Sequence, residues 1–228
     1  MSGVAAERSL SSSVGDYLKA IWVVGGSEPA STKDLAERLS VAPASVTNML
    51  IRLQEMGFVV YERYHGATLT SAGREEALRL IRRHRLIETF LLEHLGYSWQ
   101  EVHAEADKLE HAVSDLFTER LAGLLAHPGH DPHGDPIPAA DCTLEPEETV
   151  SLGSVTAGES VRISRVSTED PAALAHLGER GLAPGRWITV EEVRELDGVV
   201  TVRSEAGESH PLGEALAASI FVDAASRR

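Results

Sequence analysis

The stretch Ser31-Thr32-Lys33-Asp34-Leu35-Ala36-Glu37-Arg38-Leu39-Ser40-Val41-Ala42-Pro43-Ala44-Ser45-Val46-Thr47-Asn48-Met49-Leu50-Ile51-Arg52-Leu53-Gln54-Glu55-Met56-Gly57 decides how the chain folds. Ser31 to Asp34 reads as a capping box that opens a short helix through Leu39. Ser40-Val41-Ala42 is a tight break, and Pro43 suits the first turn of a second helix. That helix runs to about Met56 with Val46, Leu50 and Leu53 on its inner face, and Gly57 stops it. The runs Phe58 to Tyr61 and Ala67 to Thr70 then signal a β-hairpin, with Gly66 as its turn residue. Upstream, Val14 to Val24 is apolar with helical spacing and ends at Gly25-Gly26. Helix, break, helix, hairpin is the order of a winged helix-turn-helix, whose second helix enters the major groove of double-stranded DNA. The residues offered to bases or phosphates are Ala42, Pro43, Ala44, Ser45, Thr47 and Asn48, with Arg52 one turn on. Arg63, Tyr64 and His65 at the hairpin tip suit backbone contacts.

A net charge of -14 over 228 residues argues against a nucleic-acid binder until its distribution is read. Residues 31–85 carry 9 basic and 6 acidic groups, whereas residues 86–150 carry 2 and 14. An anion-binding head therefore adjoins a segment suited to cations. One cysteine, Cys142, excludes an internal disulfide and a cysteine-only metal cage. No apolar run reaches the ~20 residues of a membrane span, and Met1 to Leu10 lacks a signal-peptide core, so a cytoplasmic protein with no membrane partner is expected.

After Gly73 the sequence is helical for about twenty residues to near Gly96, and a further helix is expected over roughly Ser98 to Leu125. At ~100° per residue, His103, Asp107, Glu110 and His111 share about a third of that helix's circumference. His84 and Glu88 lie one turn apart on the preceding helix. Imidazoles and carboxylates so spaced suit a divalent cation, although an acidic helix face is more often simply solvated. The segment His127 to Thr149 holds five of the ten prolines and reads as a linker. His127, His130 and His133 within it read as loop residues rather than ligands. Beyond Val150, short β-like runs (Ser160 to Val166, Trp187 to Val193, Val199 to Arg203, Ser219 to Val222) suggest a small barrel. Domains are expected at 1–73, 74–141 and 153–228, with 142–152 as linker.

These motifs together resemble the diphtheria-toxin-repressor family of metal-dependent transcriptional regulators. The resemblance over residues 13–141 rests on Val14-Gly15-Asp16-Tyr17-Leu18, Ser40-Val41-Ala42-Pro43-Ala44-Ser45-Val46-Thr47-Asn48, Leu69-Thr70-Ser71-Ala72-Gly73-Arg74, Arg83-His84-Arg85-Leu86-Ile87-Glu88, Val102-His103-Ala104-Glu105-Ala106-Asp107, Leu109-Glu110-His111 and Gly134-Asp135-Pro136-Ile137-Pro138. Leu177 to Gly185 resembles the SH3-like (FeoA-like) domain that ends longer members. The resemblance implies a mainly α fold with small β parts: winged helix, helical dimerisation domain and SH3-like barrel. It implies a homodimeric repressor of metal-ion homeostasis genes, not an enzyme. Its primary metal site is expected at Asp16, Asp107, Glu110 and His111. An ancillary site is expected at His84, Glu88 and His103, with Glu169 or Asp170 adding a ligand. Oxygen donors at Asp16 and Asp107, where the diphtheria toxin repressor has sulfur, point to Mn(II), and Fe(II) shares the preference. Lys19, where the manganese branch has Glu, cannot ligate while protonated, so two separated sites per chain are expected. Two other readings stand beside this one. A winged-helix regulator sensing an organic ligand would bind DNA regardless of chelator, and a metallohydrolase on His103, Glu105 and His111 lacks an accompanying nucleophile pattern.

Overall fold

The structure is a computed structural model that describes residues 11–26, 28–194 and 196–224; the reading of Met1 to Leu10 lies outside them. The described chain divides into two compact units: residues through Arg82 with Ala140–Thr143, and Arg83–Ala139 with Leu144 onward.

In the first unit, helix α1 spans Ser12–Gly25, α2 Thr32–Arg38 and α3 Pro43–Glu55, followed by antiparallel strands β1 (Val59–Glu62) and β2 (Gly66–Leu69). Each start has its cause in the sequence. The Ser31 hydroxyl accepts from the Asp34 N–H at 3.1 Å, and Pro43 occupies the first turn of α3, where no helical N–H is needed. Leu18, Leu35, Val46, Leu50, Leu53 and Ala67 are fully buried and knit the three helices to the hairpin. The hairpin differs from expectation at its turn. Tyr64 takes a positive φ of +70° within the turn, and Gly66, at φ +107°, already belongs to β2. Gly66 pairs with Glu62 and lies against the Ala30 carbonyl, where a Cβ would come within 2.6 Å of oxygen. Ala30 itself bridges Ala67, so a fragment of the chain before α2 extends the wing. Cys142 returns to this unit, its thiol donating to the Glu75 carbonyl at 3.7 Å.

Helix α4 (Ser71–Leu95) is followed by α5 (Val102–Leu109) and α6 (Asp115–Leu124). The single helix expected over Ser98 to Leu125 is therefore two. Ser114 caps α6 by accepting from the Phe117 N–H, and Arg83 ties the break by donating to the Glu110 carbonyl at 3.0 Å and pairing with Asp115 at 2.7 Å. Leu86, Ile87, Leu91, Val102, Ala106, Leu121, Ala122 and Ile137 form the core of this part.

The remainder of the second unit is a six-stranded antiparallel sheet in the order β3-β8-β4-β5-β6-β7. Its strands are β3 (Thr149–Ser151), β4 (Ser160–Val166), β5 (Trp187–Arg194), β6 (Val199–Ser204), β7 (Ser209–Gly213) and β8 (Ile220–Asp223), with helices α7 (Pro171–Glu179) and α8 (Glu214–Ser219) between them. Pro211 sits in β7 at the sheet edge, where a missing N–H leaves no broken ladder. Thr149–Ser151 pairs with β8 and Leu152 is fully buried in the sheet's core, so this domain takes in residues read as linker. No helix among the described residues is long and apolar enough to cross a membrane.

Candidate functional site

The acidic segment folds around Glu88, a carboxylate only 2% exposed on α4. Three side-chain atoms form a triangle with 3.0 Å edges: Glu88 Oε1, His84 Nε2 and His103 Nδ1. His84 and Glu88 are one turn apart on α4, and His103 arrives from α5. A carboxylate supports each imidazole from behind. His84 Nδ1 lies 2.6 Å from Glu110 Oε2 and 3.4 Å from Asp107 Oδ1. With a cation in the triangle, the Nδ1 proton would point to Glu110 and the Nε2 lone pair would face the ion. His103 Nε2 likewise lies 3.7 Å from Asp107 Oδ2 and 3.6 Å from Glu169 Oε1. Carboxylate–imidazole pairs of this kind hold metal-binding histidines in one tautomer.

The donor set fits a divalent cation. Ligands about 2.1 Å from an ion at right angles stand about 3.0 Å apart, which matches each edge of the triangle. The burial argues the same way. Burial raises the Glu88 pKa, but the His84 charge and hydrogen bonds from His103 and His84 outweigh it and leave the carboxyl below the usual range. A cation in the triangle would supply that positive charge with both imidazoles neutral.

The sequence reading missed two members of this cluster. His133 and Asp131, in the proline-rich segment read as linker, are 6% and 8% exposed. His133 Nδ1 lies 4.0 Å from Glu88 Oε2, and Glu88, Asp131 and His133 form a further group with ligand spacing. The segment is held by many small ties rather than by periodic structure. Trp99 stacks on the His133 ring at 5.3 Å and donates to the Pro132 carbonyl, and the His133 carbonyl accepts from the Val166 N–H of β4 at 2.8 Å. Asp131 accepts from the His133 and Asp135 N–H groups and faces Arg85 at 3.5 Å. Burial, then the charges of Glu88 and Asp135, raise the Asp131 pKa well above its ordinary value; burial lowers that of His133. The legible signal was Asp131 and His133 two residues apart in an acidic segment already suited to cations.

Of the other expected ligands, Glu110 is fully buried and its Oε1 lies 3.3 Å from His111 Nε2; Glu110 and His111 stand at the turn that ends α5 rather than on one long helix. Asp107 is half-exposed between His84 and His103. Asp16 is partly buried on α1 in the first unit. Asp170 caps α7, accepting from the Ala172 N–H at 3.0 Å, whereas its neighbour Glu169 faces His103. His84 belongs to both groups of expected ligands, so within this unit they adjoin instead of standing apart.

On the first unit, Ala42 precedes α3 and Pro43, Ala44, Ser45, Asn48 and Arg52 are exposed along it. Thr47 is half-buried, and its hydroxyl donates to the Pro43 carbonyl at 3.2 Å. Arg63, Tyr64 and His65 are exposed at the wing tip, with the Arg63 guanidinium 5.3 Å from the Tyr64 ring centre.

Known proteins resemble the chain along most of its length. Family models match in succession: "Iron dependent repressor, N-terminal DNA binding domain" over residues 9–67, "Iron dependent repressor, metal binding and dimerisation domain" over 70–139, and "FeoA domain" over 150–224. The iron-dependent repressor IdeR of Mycobacterium tuberculosis is 31% identical over 201 residues, covering 83% of this chain and 86% of that protein. The chain belongs to the iron-dependent repressor family. This repressor is also 36% identical over 114 residues to the regulator MntR of Lysinibacillus sphaericus, a match covering 50% of this chain and 81% of that one. A solved structure described as a manganese-dependent transcriptional repressor in complex with manganese superposes with a TM-score of 0.87 at 38% identity, covering 92% of this chain and 99% of that chain. The architecture expected from sequence (winged helix, helical metal-binding domain, SH3-like domain) is thus the family's, and its role is that of a metal-dependent transcriptional repressor, not an enzyme.

Proposed function

We propose that this repressor is switched on for operator binding by Mn(II), with Fe(II) as the second ion it accepts, and that as a cytoplasmic homodimer it controls genes of metal-ion homeostasis. The observation that carries the reading is the triangle of Glu88, His84 and His103, backed by carboxylates and free of sulfur. Nitrogen and oxygen donors without thiolate suit Mn(II) and Fe(II) better than softer ions. In the assignment we favour, His84, Glu88 and His103 hold one ion. Glu169 orients His103 from the FeoA-like domain, and Asp131 and His133 supply further donors on the other Glu88 oxygen. The family resemblance assigns a second ion to Asp16, Asp107, Glu110 and His111.

The switch follows from charge. Without an ion, Glu88, Glu110, Asp107 and Asp131 crowd a largely buried region and repel; with ions the charge is neutralised and one arrangement is favoured. The effect on DNA affinity is bounded by the ions' preference for that arrangement. Dimerisation is supported by the apolar side chains Leu116, Phe117 and Leu124, which are 65%, 46% and 62% exposed along α6. Two heads joined in this way grip a two-fold symmetric DNA site.

Fluorescence anisotropy tests the proposal, using duplexes from the protein's own promoter region at fixed salt. The protein is compared after chelation and after titration with Mn(II), Fe(II) and Zn(II). Binding that requires metal, with Mn(II) and Fe(II) ahead of Zn(II), is expected. Equal binding with and without chelator refutes the metal switch and favours an organic effector.

A further inference from the structure

One large apolar side chain on the DNA-binding helix lies outside its buried row. Ile51 is 46% exposed, while Val46, Leu50 and Leu53 of the same helix are fully buried. With ~100° per residue, Ala44, Asn48 and Ile51 form a single stripe on the side of α3 opposite that buried row. Arg52 and Ser45 flank the stripe on one side and Thr47 on the other. The chemistry along it is uneven. Thr47 spends its hydroxyl proton on the Pro43 carbonyl, so it is left as an acceptor only. Asn48 is therefore the one side chain of the stripe that donates and accepts together, the pattern that matches the N7 and N6 edge of adenine. Ala44 and Ile51, one turn to either side, present methyl and branched alkyl groups. In the major groove the only apolar group of comparable size is the C5-methyl of thymine. Glu55, next along the same side, is an anion, so the reading face ends at Ile51.

We infer that this repressor reads an adenine through Asn48 and the methyl group of a neighbouring thymine through Ile51, so that Ile51 is a specificity-determining residue of the operator site. The inference rests on the DNA-binding reading above. Phosphate contacts from Arg52 and the wing place the helix without choosing sequence, and the stripe makes the choice.

The test begins with selection from a randomised duplex library, using the full-length protein with Mn(II). Anisotropy then compares each selected thymine with uracil, which lacks only the methyl group, and each selected adenine with 7-deazaadenine. Burying one methyl is worth about fourfold in affinity, so one thymine-to-uracil change should weaken wild-type binding by about that factor. Ile51→Ala should bind with lower affinity and be indifferent to that change. Asn48→Ala should be indifferent to 7-deazaadenine at one position where wild type loses about tenfold. Selection of a motif whose thymines all tolerate uracil overturns the inference and leaves DNA binding intact. The same loss on uracil substitution in Ile51→Ala also overturns it. Failure to enrich any sequence, with metal bound, overturns the repressor reading itself and this inference with it.

Discussion

Replacing Gly134 by alanine should release the loop that carries Asp131 and His133. Gly134 has φ +85°, and a Cβ there would stand 2.1 Å from the Ser164 carbonyl oxygen and 2.8 Å from the Arg165 Cα. Both are backbone atoms of β4 and cannot step aside as a side chain would. The left-handed conformation costs an alanine about 1–2 kcal/mol, and forced overpacking adds about 1–3 kcal/mol. The hydrogen bond from the Val166 N–H to the His133 carbonyl is the neighbouring tie, worth about 1 kcal/mol if it breaks. The sum, roughly 3–6 kcal/mol, is a large share of the ~5–15 kcal/mol that stabilises a domain. It should lower the melting temperature of this unit by roughly 10–20 °C. The assay is thermal melting by circular dichroism, with Trp99 emission recorded in a Trp22→Phe, Trp187→Phe background, because Trp99 stacks on His133. Gly207→Ala is the control: its φ is also +85°, but nothing lies within 4 Å of its Cβ. That variant should lose only the conformational term. Equal destabilisation by the two substitutions, or unchanged Trp99 emission in Gly134→Ala, would show that the contact with β4 does not hold the loop.

Four further outcomes are expected. Glu169→Ala should weaken Mn(II) binding by about tenfold in calorimetric titration with little change in melting temperature. Asp170→Ala should do the reverse, costing about 1 kcal/mol of stability through the lost cap while leaving metal affinity unchanged; a metal defect in the second variant would reassign the ligand. Phe117→Asp should convert the dimer to a folded monomer in analytical ultracentrifugation, and an unchanged sedimentation coefficient would place the interface elsewhere. Burial raises the Cys142 pKa, so less thiolate is present at a given pH. Iodoacetamide should therefore alkylate Cys142 more slowly than glutathione at pH 8, and an equal rate would contradict the assignment.

Which features were legible in the sequence follows from the range of the forces behind them. The Ser31 cap, Pro43 and the buried row Val46, Leu50 and Leu53 act within one or two helical turns, so spacing alone located α2 and α3. The break between α5 and α6 was not legible. It depends on Arg83 reaching the Glu110 carbonyl and Asp115 from far along the chain. His84 and Glu88 were found because they share a helix face, and His103 because it falls on one face with Asp107, Glu110 and His111; the resemblance grouped the three. His133 and Asp131 were passed over for the converse reason. Their ordering comes from Trp99, Arg85 and β4, none of which is near them in sequence. Asp170 and Glu169 are adjacent acids that composition cannot separate; the start of α7 at Pro171 does so by claiming Asp170.

The imidazole and carboxylate make-up of the cluster also decides what the protein is blind to. Peroxide disables thiolate-based centres by carrying sulfur up a ladder of oxidised acids, and neither carboxylate nor neutral imidazole offers that first step. Cys142, lying instead against the Glu75 carbonyl in the other unit, is not among the cluster's donors. A ligand set of this kind survives aeration with its donors chemically unaltered. Its response is then governed by how much metal is available and in which valence.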